Sequence, residues 1–146
     1  MSLTTFGAIM GFAVEIIGQT IAACEALIER TNHPALKEML QGLAGEEEKN
    51  RSLMEKARRE HVTEMILEPI TGLHEGEYEI GLKDLGQKHD ADLMRVALML
   101  LEREKKFFQD ASIKIPLPEV ARIFKKISQK KEETLEKLRA LGLNLI

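Results

Sequence analysis

Leu43-Ala44-Gly45-Glu46-Glu47-Glu48-Lys49-Asn50-Arg51-Ser52-Leu53-Met54 is the stretch whose reading decides the fold. It lies inside a longer segment in which Leu36, Leu40, Leu43, Glu47, Asn50, Met54 and Ala57 recur at steps of three and four. That spacing is one face of an α-helix. The face is apolar except at its middle, where it carries Glu47 and Asn50. A carboxylate and an amide three residues apart stand about one turn from each other on the same face. A helix that turns such groups inward must meet something that satisfies them.

Working outward, three more helical segments of similar length appear. The first spans about residues 4–31, with Thr4 or Thr5 as N-cap and Asn32-His33-Pro34 as its end. Phe6, Met10, Ala13, Ile17, Thr20, Cys24 and Ile28 form one stripe on it. Ile9, Phe12, Ile16 and Ala23 form a second stripe beside the first, so the helix is buried on two faces. Gly7 and Gly11 add a groove of small residues. The expectation is a homodimer through Phe6, Gly7, Ile9, Gly11, Phe12 and Ile16, with coverage by the connecting loop as the alternative. The second helix covers 34–60 and starts on Pro34. The third covers about 90–111, with Met94, Ala97, Leu98, Leu101, Glu104, Phe108 and Ala111 inward. The fourth covers 118–141, with Val120, Phe124, Ile127, Lys131, Thr134, Leu138 and Leu141 inward and Gly142 as a C-terminal cap. Between the second and third helices, residues 61–88 are broken by Pro69, Gly72, Gly76, Gly81 and Gly86. They stay too apolar for a free linker. The fold class is all-α: one domain of 1–146, a four-helix bundle with one long crossover between helices 2 and 3.

Composition narrows the function. The 146 residues carry 31% charged side chains with a net charge of −3 and mixed signs, which leaves no nucleic-acid footprint. The single cysteine, Cys24, excludes an intrachain disulfide and suits a reducing, cytoplasmic setting. The apolar first segment is interrupted by Glu15 and Gln19, and no basic residue precedes Arg30. It reads as a core helix rather than a membrane span or signal peptide. Met1-Ser2-Leu3 could include a cloning remnant. His61, His74 and His89 with Glu75, Glu77 and Glu79 match no zinc spacing. No hydrolytic triad is visible.

The layout, with its two-half repeat, resembles the rubrerythrin-type ferritin-like family over nearly the whole chain. Ala13-Val14 and Ala97-Leu98 match the start of that family's first helical pattern, with Cys24 and Phe108 in its Tyr positions. Phe124-Lys125-Lys126-Ile127 is similar to the lead-in to its last ligand motif. The resemblance implies a di-iron or manganese site and an oxidoreductase or iron-handling activity. It places the ligand positions on Ile17, on Glu47 and Asn50, on Leu101, and on Lys131 and Thr134. Of these only Glu47 is a ligand of the family's kind, whereas a di-iron carboxylate centre uses about four carboxylates and two imidazoles. Glu15, Glu102, Glu104, Glu132 and Glu133 lie close by, but most point about 100–200° from the inward stripes. The expectation is therefore a degenerate member with no metal or other cofactor, and no catalytic residues. In place of the metal, Glu47 and Lys131 would form a buried ion pair, with Asn50 and Thr134 hydrogen-bonding nearby. Iron or manganese becomes the expectation if the register is displaced. A small-molecule carrier using the bundle interior is a third possibility.

Overall fold

A computed structural model describes residues 3–60, 70, 72–78 and 90–142. The described residues form four α-helices, α1 Phe6–Arg30, α2 Pro34–Glu60, α3 Asp90–Lys114 and α4 Pro118–Gly142, with a 3-10 turn at Glu75–Tyr78. Thr5 caps α1 by accepting from the amide of Ala8 at 3.0 Å, which satisfies one of the free donors of the first turn. His33 does the same for α2, its Nδ1 accepting from Leu36. α3 runs one turn beyond the expected residue 111, and Ile115 still bonds back to the carbonyl of Ala111. Gly142 is the last described helical residue of α4, and its φ is not positive, so it is no left-handed cap. Twenty-five residues give each of α1, α3 and α4 a length of about 37 Å.

The chain folds as two helical hairpins. α1 packs along α2 and α3 along α4, while α1 faces α3 and α2 faces α4 across the bundle. At one end, the Thr31 hydroxyl and the Asn32 amide donate to Asp90 Oδ1, joining the end of α1 to the start of α3. At the other end, the amide of Leu3 donates to Leu73 and that of Ile70 to Thr4.

The core divides into two apolar clusters. One gathers Phe6, Met10, Phe12, Met54, Phe107, Phe108 and Phe124, and the other gathers Cys24, Leu27, Leu36, Leu40, Leu100, Leu101, Leu135 and Leu138. On every helix the crossover between clusters falls at mid-length. At that level lie the buried polar residues Thr20, Glu47, Glu104 and Lys131, one from each helix.

The α1 face expected to meet a second subunit is occupied from within the chain. Phe6, Ile9, Phe12 and Ile16 are each at most 7% exposed, and Gly7 and Gly11 are half-buried. Tyr78 covers this side: its ring lies 6.0 Å from Phe12 and 5.2 Å from Phe107, and its hydroxyl donates to Asp110 at 2.8 Å. Ile70 and Leu73 are buried in the same cluster. The second apolar stripe exists because the connecting segment packs on it. α1 has the length and composition of a membrane span, and its apolar side chains lie largely in the bundle core. Residues 61–69 and 79–89, with His61, Pro69, Gly81, Gly86 and His89, lie outside the described residues.

Candidate functional site

The mid-level of the bundle is charged. Lys131 projects from α4 into the interior, where Nζ donates to Glu47 Oε1 of α2. Glu104 Oε2 of α3 stands 3.5 Å from the same ammonium. All three side chains are at most 1% exposed. Asn50, one turn along α2, donates from Nδ2 to Glu47 Oε1 at 3.2 Å. Three-and-four spacing puts each of these groups inward while its helix continues its apolar stripe on both sides.

Two carboxyls share one ammonium, so full ionisation would leave a net negative charge in a dry interior, which is strongly unfavourable. The balance is restored if one acid holds its proton. Burial pushes the Glu104 carboxyl up to about 8, against the opposing pull of the Arg103 guanidinium. Burial also draws Lys131 down to about 8, with Glu46 and Cys24 pulling the other way. At neutral pH a neutral Glu104 then stands beside the Lys131 ammonium, which donates to Glu47. Glu47 Oε2 and both Glu104 oxygens make no hydrogen bond among the described residues.

A second buried cation stands beside the cluster. Arg103, 8% exposed, ties α3 to α1. It donates to Gln19 Oε1 at 2.8 Å, and to the Ile16 carbonyl and Thr20 Oγ1, each at 3.3 Å. Burial lowers its pKa, opposed by Glu104 and Glu15. Cys24 is fully buried. Burial first, then Glu104, pushes its thiol up to about 12, so it stays protonated and unreactive.

The six positions singled out by the resemblance separate into three groups. Glu47, Asn50 and Lys131 come together as described. Ile17 and Leu101 are fully buried in the apolar clusters on either side. Thr134 does not join them: its hydroxyl donates to the Lys130 carbonyl within α4 at 3.2 Å, the usual alternative for a helical threonine. Of the neighbouring acids, only Glu104 reaches the centre. Glu102 and Glu132 lie on the outer α3–α4 seam, where Arg139 meets Glu102 at 3.1 Å and Lys105 meets Glu132 at 2.6 Å. Glu15 and Glu133 are exposed. Sequence reasoning missed Arg103 altogether, because Glu102-Arg103-Glu104-Lys105-Lys106 reads as a solvated run. For Glu104 the signal was present, since it continues the stripe of Ala97, Leu101, Phe108 and Ala111.

Among the described residues no three His, Cys, Asp or Glu side chains converge as a metal site. The donor set around the cluster is two carboxyls, one amide and an ammonium. The ammonium fills the space between the acids and repels a second cation, so these residues do not fit a di-iron or manganese centre.

No family model matches this chain, and no curated protein is similar to it. Its fold is similar to that of a solved structure, a hypothetical protein from Pyrococcus furiosus. The TM-score is 0.68 and the identity 22%, over 94% of this chain and 89% of the other. That likeness concerns the fold alone.

Proposed function

We propose that this protein is a ferritin-like bundle of rubrerythrin type whose metal site has been replaced by the Glu47–Lys131–Glu104 cluster, and that it acts as a non-catalytic binding or structural module. The crossover is supported by the contacts at the two bundle ends. The chain lies beside the start of α1 at Leu73 and beside its end at Asp90, so it changes ends between α2 and α3, as in bundles with one long connection. The observation that carries the functional reading is the Lys131 ammonium at the bundle centre, bonded to Glu47. A fixed internal cation does electrostatically what a bound metal would do for facing carboxylates. It offers no open coordination position and no redox change. Ile17 and Leu101 close the site with hydrocarbon.

The competing reading, an iron- or manganese-dependent oxidoreductase, has one observation in its favour: the Glu47 and Glu104 oxygens left without hydrogen bonds. Elemental analysis separates the two. Protein grown in iron- and manganese-supplemented medium and purified without chelators should carry under about 0.1 equivalent of metal, against about two for a di-metal centre. The module is proposed to be cytoplasmic, which the free, buried Cys24 suits. It is also proposed to be a homodimer, through a surface other than the covered Phe6, Ile9, Phe12 and Ile16 face. Light scattering on the eluted peak measures that mass.

A further inference from the structure

Outside the cluster, and reaching it only at Asn50, lies a groove between α2 and α4 of about 270 Å³. Leu53, Ile123 and Ile127 form its apolar surface, Lys126 and Lys130 its rim on α4, and Asn50 and Glu46 its side on α2. We propose that this groove binds a small amphipathic anion, a medium-chain monocarboxylate, with the hydrocarbon on Leu53, Ile123 and Ile127 and the carboxylate between Lys126 and Lys130. The proposal rests on reading the protein as a binding module.

Three observations carry it. Leu53 is 38% exposed and is one of only three large apolar side chains left in solvent among the described residues, so at Leu53 the groove presents hydrocarbon that nothing among the described residues covers. Lys126 and Lys130 are four apart, one turn along one face, and neither has an ion-pair partner among the described residues. The contrast with the opposite flank of α4 is direct. There a concavity of similar size is lined by polar side chains, and its Lys105 is already paired with Glu132 at 2.6 Å. Among the described residues the groove thus combines the exposed Leu53 surface with two unpaired ammonium groups against one carboxylate, Glu46. That complementarity selects an anion with a hydrocarbon tail over a cation, a bare anion or a neutral alcohol. The volume sits just below the ~300 Å³ lower end of ordinary ligand sites, which suits a molecule of roughly ten heavy atoms. Asn50 belongs both to the groove and to the cluster, where it bonds Glu47, so an occupant would touch the side chain that steadies the buried pair.

Sodium octanoate is the probe, titrated into the full chain and followed by amide chemical shifts. One saturable site is expected, with a dissociation constant of about 0.1–1 mM, as a ligand of this size and ordinary efficiency gives. The shifts should centre on Asn50, Leu53, Ile123 and Ile127. Octylamine and inorganic phosphate should not saturate. The exposed double variant Lys126→Gln/Lys130→Gln, checked for native helicity, should weaken octanoate by about fivefold or more, and Leu53→Ser should weaken it as well. Failure to saturate by 10-fold above that range, equal binding of octylamine or phosphate, or an unchanged constant in the double variant would each overturn the proposal. Metal content measured on the same sample keeps the two readings apart. Metal-free protein that ignores octanoate refutes the groove alone, and about two equivalents of metal refute the module reading.

Discussion

Replacing Lys131 by Met removes the one cation between two buried carboxyls and keeps a side chain of similar length. At an ordinary ion-pair separation of about 4 Å, an effective dielectric of 20 gives a gross attraction of about 4 kcal/mol between the Lys131 ammonium and its partner Glu47. The loss on folding is smaller, because the wild-type ammonium had itself to be desolvated. It is not zero, because Glu47 is left as an unpaired charge at 0% exposure. Breaking a buried pair in this way costs about 3–5 kcal/mol. In a chain of this size each kcal/mol moves the melting temperature by about 2–4 °C, so Lys131→Met should melt about 6–20 °C lower at pH 7.5. The deficit should shrink towards pH 5, since a protonated carboxyl needs no cation. The triple variant Glu47→Gln/Glu104→Gln/Lys131→Met should recover most of the loss, because an apolar or neutral replacement of the whole cluster leaves no stranded charge. Thermal melts followed by helicity across pH 5–8 read all three. A Lys131→Met protein with wild-type melting temperature at pH 7.5 would refute the reasoning, and so would one whose deficit is the same at pH 5.

Other predictions follow from the same geometry. Glu104 holds a proton in the folded chain up to about 8 that the unfolded chain releases near its ordinary value, so its contribution to stability is full at low pH and is lost as pH rises towards 8. Lys131, drawn down to about 8, works the other way above that pH, its contribution returning as pH rises to its ordinary range. Folding free energy measured in urea should therefore dip near pH 8, and Glu104→Gln should flatten the acid-side slope by a few kcal/mol at ~1.4 kcal/mol per unit. Arg103→Met should destabilise by about 1–3 kcal/mol, since it leaves Gln19 Oε1 and Thr20 Oγ1 without their donor, while the Ile16 carbonyl keeps the Thr20 hydroxyl at 3.0 Å; equal urea midpoints would contradict this. Cys24, buried with its thiol pushed up to about 12, should resist a thiol reagent in the native protein and react in full once the chain is unfolded in urea. Tyr78→Phe should lose about 1 kcal/mol with the Asp110 hydrogen bond while keeping its ring packing; a loss as large as that of Tyr78→Ala would contradict that division.

The helices were legible because their boundaries rest on local chemistry. Thr5, Pro34 and Pro118 start helices through caps and fixed φ, and apolar spacing identifies the inward faces. The same spacing placed Glu47 and Lys131 inside, since a charged residue that interrupts an apolar stripe has nowhere else to point. Two features were not legible. Periodicity tells that a face is covered but not by what, so the second stripe of α1 read as a subunit contact, with the connecting segment as the alternative. Tyr78 and Leu73 supply the cover. Arg103 hides in a run of charges, and its burial depends on the approach of α1, where Gln19 and Thr20 receive it. Helix–helix approach of that kind leaves no mark in the spacing of either helix alone.

The central claim is that an ammonium, not a metal, sits between Glu47 and Glu104. A crystal structure of protein grown with added iron and manganese, with anomalous data collected on both sides of the iron and manganese edges, tests it most directly. The account predicts continuous side-chain density for Lys131 ending between the two carboxyls and no anomalous peak there. An anomalous peak bridging Glu47 and Glu104, with Lys131 turned out towards solvent, would contradict it.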